Sequence, residues 1–202
     1  MSALREEAVP ALPLIGRRKY LGYFIFAVNL PLLIWKAYEV ALGLSAGAQW
    51  SSPDLLNDAI LMASSLALVI VFPRWLPIYA SRYWLTDTGV KIFRFLKGTV
   101  TVPYASIARA EIYIKSQKEG KASKEALQHA KENADALRKS GFKFVDYTND
   151  DEAMILLISR DRVYLLSPAY PKAFAQRLRK RVGALPVKMV ELTPRGKRAR
   201  DI

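Results

Sequence analysis

The sequence contains no cysteine and only one histidine, and these absences narrow the chemistry that it can perform. Without cysteine there is no disulfide framework, no thiolate nucleophile and no cysteine-based zinc site. The single histidine, His129, lies in a segment rich in charge and has no cysteine or second histidine with which to share a metal. We therefore expect neither the usual histidine-based metal sites nor a histidine-based catalytic triad.

Phosphate-binding loops and calcium loops are also missing. The ten glycines are scattered, and none has the spacing of a dinucleotide-binding or Walker loop. A calcium loop starting at Asp146 would need glycine near its middle and glutamate at its end, where Asp151 and Leu157 stand. A hairpin turn therefore explains this acidic cluster, which also includes Asp150 and Glu152. We expect no catalytic residue, no metal and no cofactor, so the chain is predicted to act by binding.

Basic residues outnumber acidic ones. The 202 residues include 31 Lys and Arg against 18 Asp and Glu, which gives a formal net charge of +13. This length has room for one domain and an accessory element. The charge favours an acidic partner surface, and both anionic lipid and nucleic acid meet that description.

Two long apolar segments predict a transmembrane hairpin over residues 20–80. Its helices are expected at about 20–44 and 55–79, each long enough to cross a hydrocarbon core of roughly 30 Å. Lys36 and Glu39 interrupt the first helix three positions apart, so they are expected to pair. Basic residues flank the hairpin and are absent from its loop, which places both termini in the cytosol of a multi-pass cell membrane protein. The alternative is a pair of buried helices in a soluble protein.

The two ends of the chain are predicted to lack regular structure. Residues 1–19 combine charged residues with prolines and indicate a poorly ordered cytosolic segment. Residues 183–202 indicate a flexible basic tail. Within that tail, residues 187–190 have the alternation of a strand that could pair with another element.

A soluble domain is predicted over residues 82–182, where the hydrophobic period becomes that of β-strands. Two strands are expected around a turn that ends at Gly89, for which a positive φ is predicted. Five more strands are expected at residues 98–103, 108–115, 142–148, 153–159 and 162–167. A helix follows with Phe174, Leu178 and Val182 on one face, and its first two apolar residues are expected to fill the open end of the sheet.

Three motifs in this domain are informative in combination. They are Tyr-Trp-Leu-Thr-Asp-Thr-Gly-Val at 83–90, Val-Pro-Tyr-Ala-Ser-Ile at 102–107 and Leu-Ser-Pro-Ala-Tyr-Pro-Lys-Ala-Phe at 166–174. Together with the hairpin, they resemble the prokaryotic pleckstrin-homology-like domains of small membrane proteins, over about half of the chain. The resemblance implies an α+β fold in which a seven-stranded antiparallel sheet or barrel is capped by the C-terminal helix. It implies no catalytic chemistry.

A charged segment at residues 116–141 is inserted between the fourth and fifth predicted strands. Lysine, glutamate and alanine dominate it, and Gly141 can end a helix. A narrow apolar stripe at spacings of three and four is predicted to bind a partner helix, through Leu127, Ala130, Ala134 and Leu137. The alternative is a solvated helix that lies on its own domain.

These features predict a non-catalytic scaffold, a structural or assembly subunit of a larger membrane protein complex. Its cytosolic domain and inserted helix would dock other subunits or a second copy. One alternative is a module that senses anionic lipid, because basic residues gather near the membrane exit and on the last helix. A second alternative, nucleic-acid binding, is weaker because the basic tail has no aromatic residue on which bases could stack.

The lipid alternative names specific side chains. Those predicted to contact anionic lipid are Arg74, Arg82, Lys91, Arg94, Lys97, Arg177, Arg179, Lys180 and Arg181. For the first two, ordinary topology signalling explains the charge equally well. The acidic Asp87 in the first hairpin turn argues against a specific phosphoinositide site, which would need Lys or Arg there.

Overall fold

The computed structural model describes residues 6–75, 78–150 except 116–134, 153–183, 185–193 and 196–201. These residues form two compact units. One holds residues 14–79 and is helical, and the other combines residues 6–13 with the described part of 80–201. The chain therefore leaves the second unit after residue 13 and returns to it at residue 80.

The helical unit consists of two long apolar helices. The first, α1, spans Gly16–Ser45, and the second begins as α2 at Pro53–Leu66, continues through a π-helical turn at Ala67–Val71 and ends as α3 at Phe72–Trp75. Both are long and apolar enough to cross a membrane, and only 6% and 17% of their most apolar stretches are buried. The prediction of two apolar helices is confirmed, and neither is buried as the core helix of a soluble protein would be.

Charged and small residues join the two long helices. Lys36 Nζ lies 2.5 Å from a Glu39 oxygen, which confirms the predicted pair. The same ammonium lies 2.8 Å from Asp58 Oδ1 on α2, a contact across the hairpin that sequence reasoning missed. A Cβ at Gly43 would come within 3.0 Å of the Leu55 side chain, so the absence of a side chain there permits close helix packing.

Ten strands of the described residues form two sheets. The first sheet has the order β1 (Glu7–Val9), β2 (Ser81–Leu85), β3 (Gly89–Arg94), β4 (Gly98–Pro103), and all its pairs are antiparallel. The second sheet contains β5 (Ile107–Lys115), β6 (Lys143–Asp146), β7 (Ala153–Ser159), β8 (Arg162–Leu166), β9 (Val187–Thr193) and β10 (Gly196–Asp201). Its order is β10-β9-β5-β7-β8-β6. Helical residues 135–139 (α4) precede β6, and α5 spans Pro171–Val182.

The seven strands predicted from hydrophobic alternation are β2 to β8, so their existence is confirmed. Their arrangement differs from the expectation. β6 pairs parallel with β8, and β9 pairs parallel with β5, so the second sheet is mixed rather than antiparallel. The described strands form two sheets and no closed barrel. The chain is α+β, and a pleckstrin-homology-like barrel is not confirmed.

At both ends of the chain, described residues that were predicted to lack regular structure form strands, and the strand predicted at residues 187–190 is confirmed as part of β9. Residues 7–9 form β1 on the edge of β2, and the backbones of Pro10 and Leu12 bond to Ala169 and Ser167 at 2.8 and 2.9 Å. The last residues form β9 and β10, and Val187 and Met189 of β9 are buried in the core. Both ends find partners because strands distant in sequence offer them unpaired backbone groups.

Glycine is required at position 89 for a reason other than the predicted one. Its φ is not among the positive values in the backbone, which occur nearby at Leu96 and Gly98 instead. A Cβ on Gly89 would lie 2.3 Å from the carbonyl oxygen of Val102 on β4. The residue is therefore required by the close approach of two strands and not by a left-handed turn.

Two hydrophobic clusters lie on opposite faces of the second sheet. The larger cluster contains α5, whose Phe174 is 2% exposed and whose Leu178 is fully buried, as predicted. The helix packs against β5 and β7 and ends at Gly183, whose φ of 80° suits a helix terminus. The smaller cluster centres on Tyr113, Leu156, Ile158, Val163 and Val190, and residues around α4 pack against it.

Candidate functional site

Among the charged residues of the second unit that the structure describes, Arg94 is the least exposed, at 1%. Its Nε donates to the Ser81 hydroxyl at 2.8 Å, and its two terminal nitrogens donate to the carbonyls of Asp146 and Thr148 at 2.8 and 3.1 Å. The guanidinium also lies over the Tyr147 ring, 5.3 Å from its centroid. Arg94 therefore connects the first sheet with the end of β6 and the loop that follows it.

A neutral hydrogen-bond network continues from this contact. Asn149 accepts from the Ser81 backbone at 2.6 Å and donates to the carbonyls of Leu12 and Ser81 at 2.8 and 3.0 Å. The Tyr83 hydroxyl donates to the Tyr147 carbonyl at 2.6 Å and accepts from the Ser167 backbone at 3.1 Å. These buried groups hold the N-terminal segment, β2 and the end of β8 together, which is a structural role.

Burial raises the pKa of the Tyr83 phenol above its ordinary value of 10.0, with hydrogen bonds from Ser167 acting in the opposite direction. The phenol keeps its proton more tightly in the folded state, so its contribution to stability is complete below about pH 10 and is lost as the pH rises through the folded-state pKa. We expect the unfolding free energy of the wild type to fall above pH 10 more steeply than that of Tyr83→Phe, by up to about 1.4 kcal/mol per pH unit.

Denaturant titrations at pH 8 to 11 measure this difference. Tyr170→Phe is the matched control, since that side chain is 68% exposed, and its curve should follow the wild type. Parallel curves for wild type and Tyr83→Phe would contradict the prediction.

An acidic strand is held by two arginines of α5. Arg177 and Arg181 place guanidinium nitrogens 2.6 and 3.2 Å from the two carboxylate oxygens of Glu7 on β1. Arg181 also donates to the carbonyl of Thr86 at 2.9 Å. Next to this contact, Lys91 Nζ lies 2.9 Å from Glu6. The acidic residues of the N-terminal segment thus neutralise part of the basic surface.

The structure separates the residues predicted to contact anionic lipid. Arg94 is buried, so its predicted lipid contact is wrong. Lys97 donates to the Asp146 carbonyl at 3.3 Å and lies 4.3 Å from the Tyr147 ring centroid, and burial lowers its pKa. Three others, Lys91, Arg177 and Arg181, pair with Glu6 or Glu7. Arg82, Arg179 and Lys180 are exposed, as is Arg177 despite its ion pair, and the side chain of Arg74 lies outside the described residues.

Of the stripe predicted to bind a partner helix, the structure describes only Leu137. Its side chain is partly buried against the smaller hydrophobic cluster on the second sheet. Its neighbour Arg138 lies 5.2 Å from the Phe144 ring centroid. At this position the segment lies on its own domain, as in the alternative prediction. Leu127, Ala130 and Ala134 lie outside the described residues.

The acidic cluster begins with a local turn. Asp146 accepts from both the backbone and the hydroxyl of Thr148 at 2.7 Å, which is the geometry of an aspartate-initiated turn. Asp151 and Glu152 lie outside the described residues. Within the described part of the chain, no three His, Cys, Asp or Glu side chains come close enough to hold a metal ion.

Two shallow grooves flank α5. One of about 230 Å³ is lined by Ala8, Val9, Pro10, Tyr170, Ala173, Phe174 and Arg177. The other, of about 300 Å³, is lined by Lys172, Gln176, Met189, Arg200 and Asp201. Neither contains a nucleophile paired with a base, so both suit binding better than catalysis.

Sequence reasoning missed the structural role of Arg94, although a signal was present. Val90, Ile92 and Arg94 alternate along β3 and therefore share its inward face. The pairing of Glu7 with α5 carried no such signal, because it joins residues 170 positions apart.

Comparison with protein-family models, with curated proteins and with solved structures finds no match for this chain. The resemblance to pleckstrin-homology-like domains therefore stays a prediction.

Proposed function

We propose that this protein is a membrane-anchored, non-catalytic scaffold, a structural or assembly subunit of a larger membrane protein complex. The observation that carries the proposal is the exposure of the two apolar helices, which form one unit of a chain whose other unit is folded separately. Large apolar side chains such as Phe24, Trp35 and Leu56 are more than half exposed, which is unfavourable in water and favourable in lipid. A chain built this way holds a folded binding unit at a membrane surface.

The connectivity supports a hairpin in the membrane. Residues 6–13 and residues from 80 onward belong to one folded unit, and the apolar helices connect them. This connectivity supports a topology in which both ends of the helical unit lie on the same side of a membrane and the loop at residues 46–52 lies on the other side. The basic flanks assign the folded unit to the cytosol.

Cysteine labelling tests this topology without background, because the natural chain has no cysteine. Cysteines introduced singly at Ser51 and Ser140, both exposed, should react with an impermeant maleimide from opposite sides of intact cells or vesicles. Ser51→Cys should react from outside and Ser140→Cys only after permeabilisation. Reaction of both from one side would contradict the hairpin.

The contacts of the basic residues favour a protein scaffold over a lipid sensor. Most of the described side chains predicted to contact lipid already bind carboxylates or carbonyls of their own domain. A lipid sensor would present them together to headgroups. Basic residues at exposed positions of the domain suit acidic patches on partner proteins equally well.

Copurification from mild detergent tests the scaffold function and the inserted segment together. Wild-type protein should retain stoichiometric protein partners, and the double variant Leu127→Asp, Ala134→Asp should lose them. Gln128→Asp, Asn133→Asp adds the same charge off the apolar stripe and should keep them. Leu137 is left unchanged because it packs on the sheet. If wild type retains only lipid, the lipid-sensing alternative is supported and the scaffold proposal fails.

A further inference from the structure

The proposed function gives no role to the outer edge of β10. β10 runs for six residues, Gly196–Asp201, antiparallel to β9. It is the first strand in the order of its sheet, so none of the described strands pairs with its outer edge. Such an edge presents a row of backbone N–H and C=O groups that another extended chain can pair with.

The residues of β10 determine which chain would suit that edge. Lys197, Arg198 and Arg200 lie on the strand, against one acidic residue, Asp201. A second copy of β10 in the antiparallel register centred on residue 199 would place position 198 opposite position 200, arginine against arginine, at two places in the ladder, which is destabilising, and only positions 197 and 201 would have opposite charges. An acidic extended segment would place opposite charges across the same ladder.

The groove beside β10 extends this basic edge toward α5. Met189 and Arg200 are opposite one another in the β9–β10 register, and both line the groove of about 300 Å³. Lys172 and Gln176, both exposed on α5, line its other wall. An added strand would therefore lie beside Lys172 on the helix and Arg200 on β10, and Asp201 is the one acidic residue in the lining of this groove.

The same domain already holds one acidic extended segment against α5. On the flank that carries positions 177 and 181, the carboxylate of Glu7 on β1 binds both arginines, at 2.6 and 3.2 Å. Positions 172 and 176, one turn apart, lie on a different flank of the helix. The flank of α5 beside β10 likewise combines a cation of the helix with the edge of a strand. No acidic strand among the described residues occupies that edge.

We propose that β10 and the adjacent groove bind an extended acidic segment of a partner protein by strand addition. This inference rests on the proposed scaffold function, since it names the chemistry of one of its partners. Backbone pairing along β10 supplies affinity, and the described cations beside it, Arg200 and Lys172, select for aspartate and glutamate.

The test uses full-length protein in detergent micelles and a fluorescent Glu-Val-Glu-Val-Glu-Val peptide as the probe. Anisotropy should show binding, and hydrogen exchange should slow in residues 196–201. The variant Lys197→Glu, Arg198→Glu, Arg200→Glu should bind at least about tenfold more weakly, the sum expected from three surface ion pairs. The control Arg82→Glu, Lys143→Glu, Arg160→Glu makes the same charge change at exposed positions elsewhere and should bind as wild type.

Three results would overturn the inference. An equal loss of peptide affinity in both triple variants would show that binding depends only on net charge. Binding without slower exchange at 196–201 would exclude strand addition, and displacement of the peptide by equimolar single-stranded DNA would assign the edge to nucleic acid. Arg200→Glu alone provides a milder variant if the triple change prevents folding. Copurification tests the proposed function separately, because partner proteins can be retained even if the peptide does not bind.

Discussion

Replacing Arg94 with alanine should destabilise the folded unit by about 3–5 kcal/mol, one of the two largest effects expected of a single change in this protein. The substitution removes donors from the Ser81 hydroxyl and from the carbonyls of Asp146 and Thr148, in an interior where water cannot replace them. It also leaves a cavity, because the whole side chain is buried. Arg94→Lys should recover only part of the loss, since one ammonium cannot reproduce the planar fork of donors.

Chemical denaturation of the full-length protein in detergent, followed by near-ultraviolet circular dichroism, measures this effect. Arg82→Ala is the matched control, because Arg82 lies on the neighbouring strand and is exposed. Its change in unfolding free energy should stay within about 0.5 kcal/mol. Equal effects of the two substitutions would contradict the structural role of Arg94.

Replacing Phe174 with alanine should destabilise the same unit by about 3–5 kcal/mol, the range found when a buried aromatic ring is deleted. Phe174 is 2% exposed and lies in the larger hydrophobic cluster, where α5 packs against β5 and β7. Without the ring, the helix loses its main apolar contact with the sheet. Because α5 also holds Glu7 through two arginines, the N-terminal strand should loosen with it.

Thermal unfolding and hydrogen exchange of residues 7–12 report the two parts of this prediction. Gln176→Ala, at an exposed position of α5 that lines the other groove, should leave both unchanged. An unchanged midpoint in Phe174→Ala would show that α5 does not stabilise the domain. A lower midpoint with unchanged exchange at residues 7–12 would show that the N-terminal strand does not depend on the packing of α5.

Much of the local structure follows from periodicity in the sequence. The apolar runs in α1 and α2 predicted helices, and alternation predicted the seven strands β2 to β8. The spacing of Phe174 and Leu178 predicted their burial. Each of these features repeats over a few neighbouring residues, so a short window of sequence contains the whole signal.

Pairing between distant segments was not predictable in the same way. β1 pairs with β2 across the entire helical unit, and β9 pairs parallel with β5 instead of continuing a hairpin. The strand signal in residues 187–190 was visible, but its partner was not. A strand pattern states that backbone groups need partners, whereas the choice of partner depends on which edges the rest of the fold leaves open.

The charged residues show most clearly the difference between what a local sequence pattern indicates and what depends on distant contacts. Composition and patterning alone show that the chain is basic, that basic residues flank two apolar segments, and that it has no cysteine and one histidine. The burial of Arg94, the binding of Glu7 by Arg177 and Arg181, and the contact of Lys36 with Asp58 became apparent from the three-dimensional structure. The physical reason is that a charge is a property of one residue, but its burial and its counterion depend on residues brought close in space from anywhere in the chain.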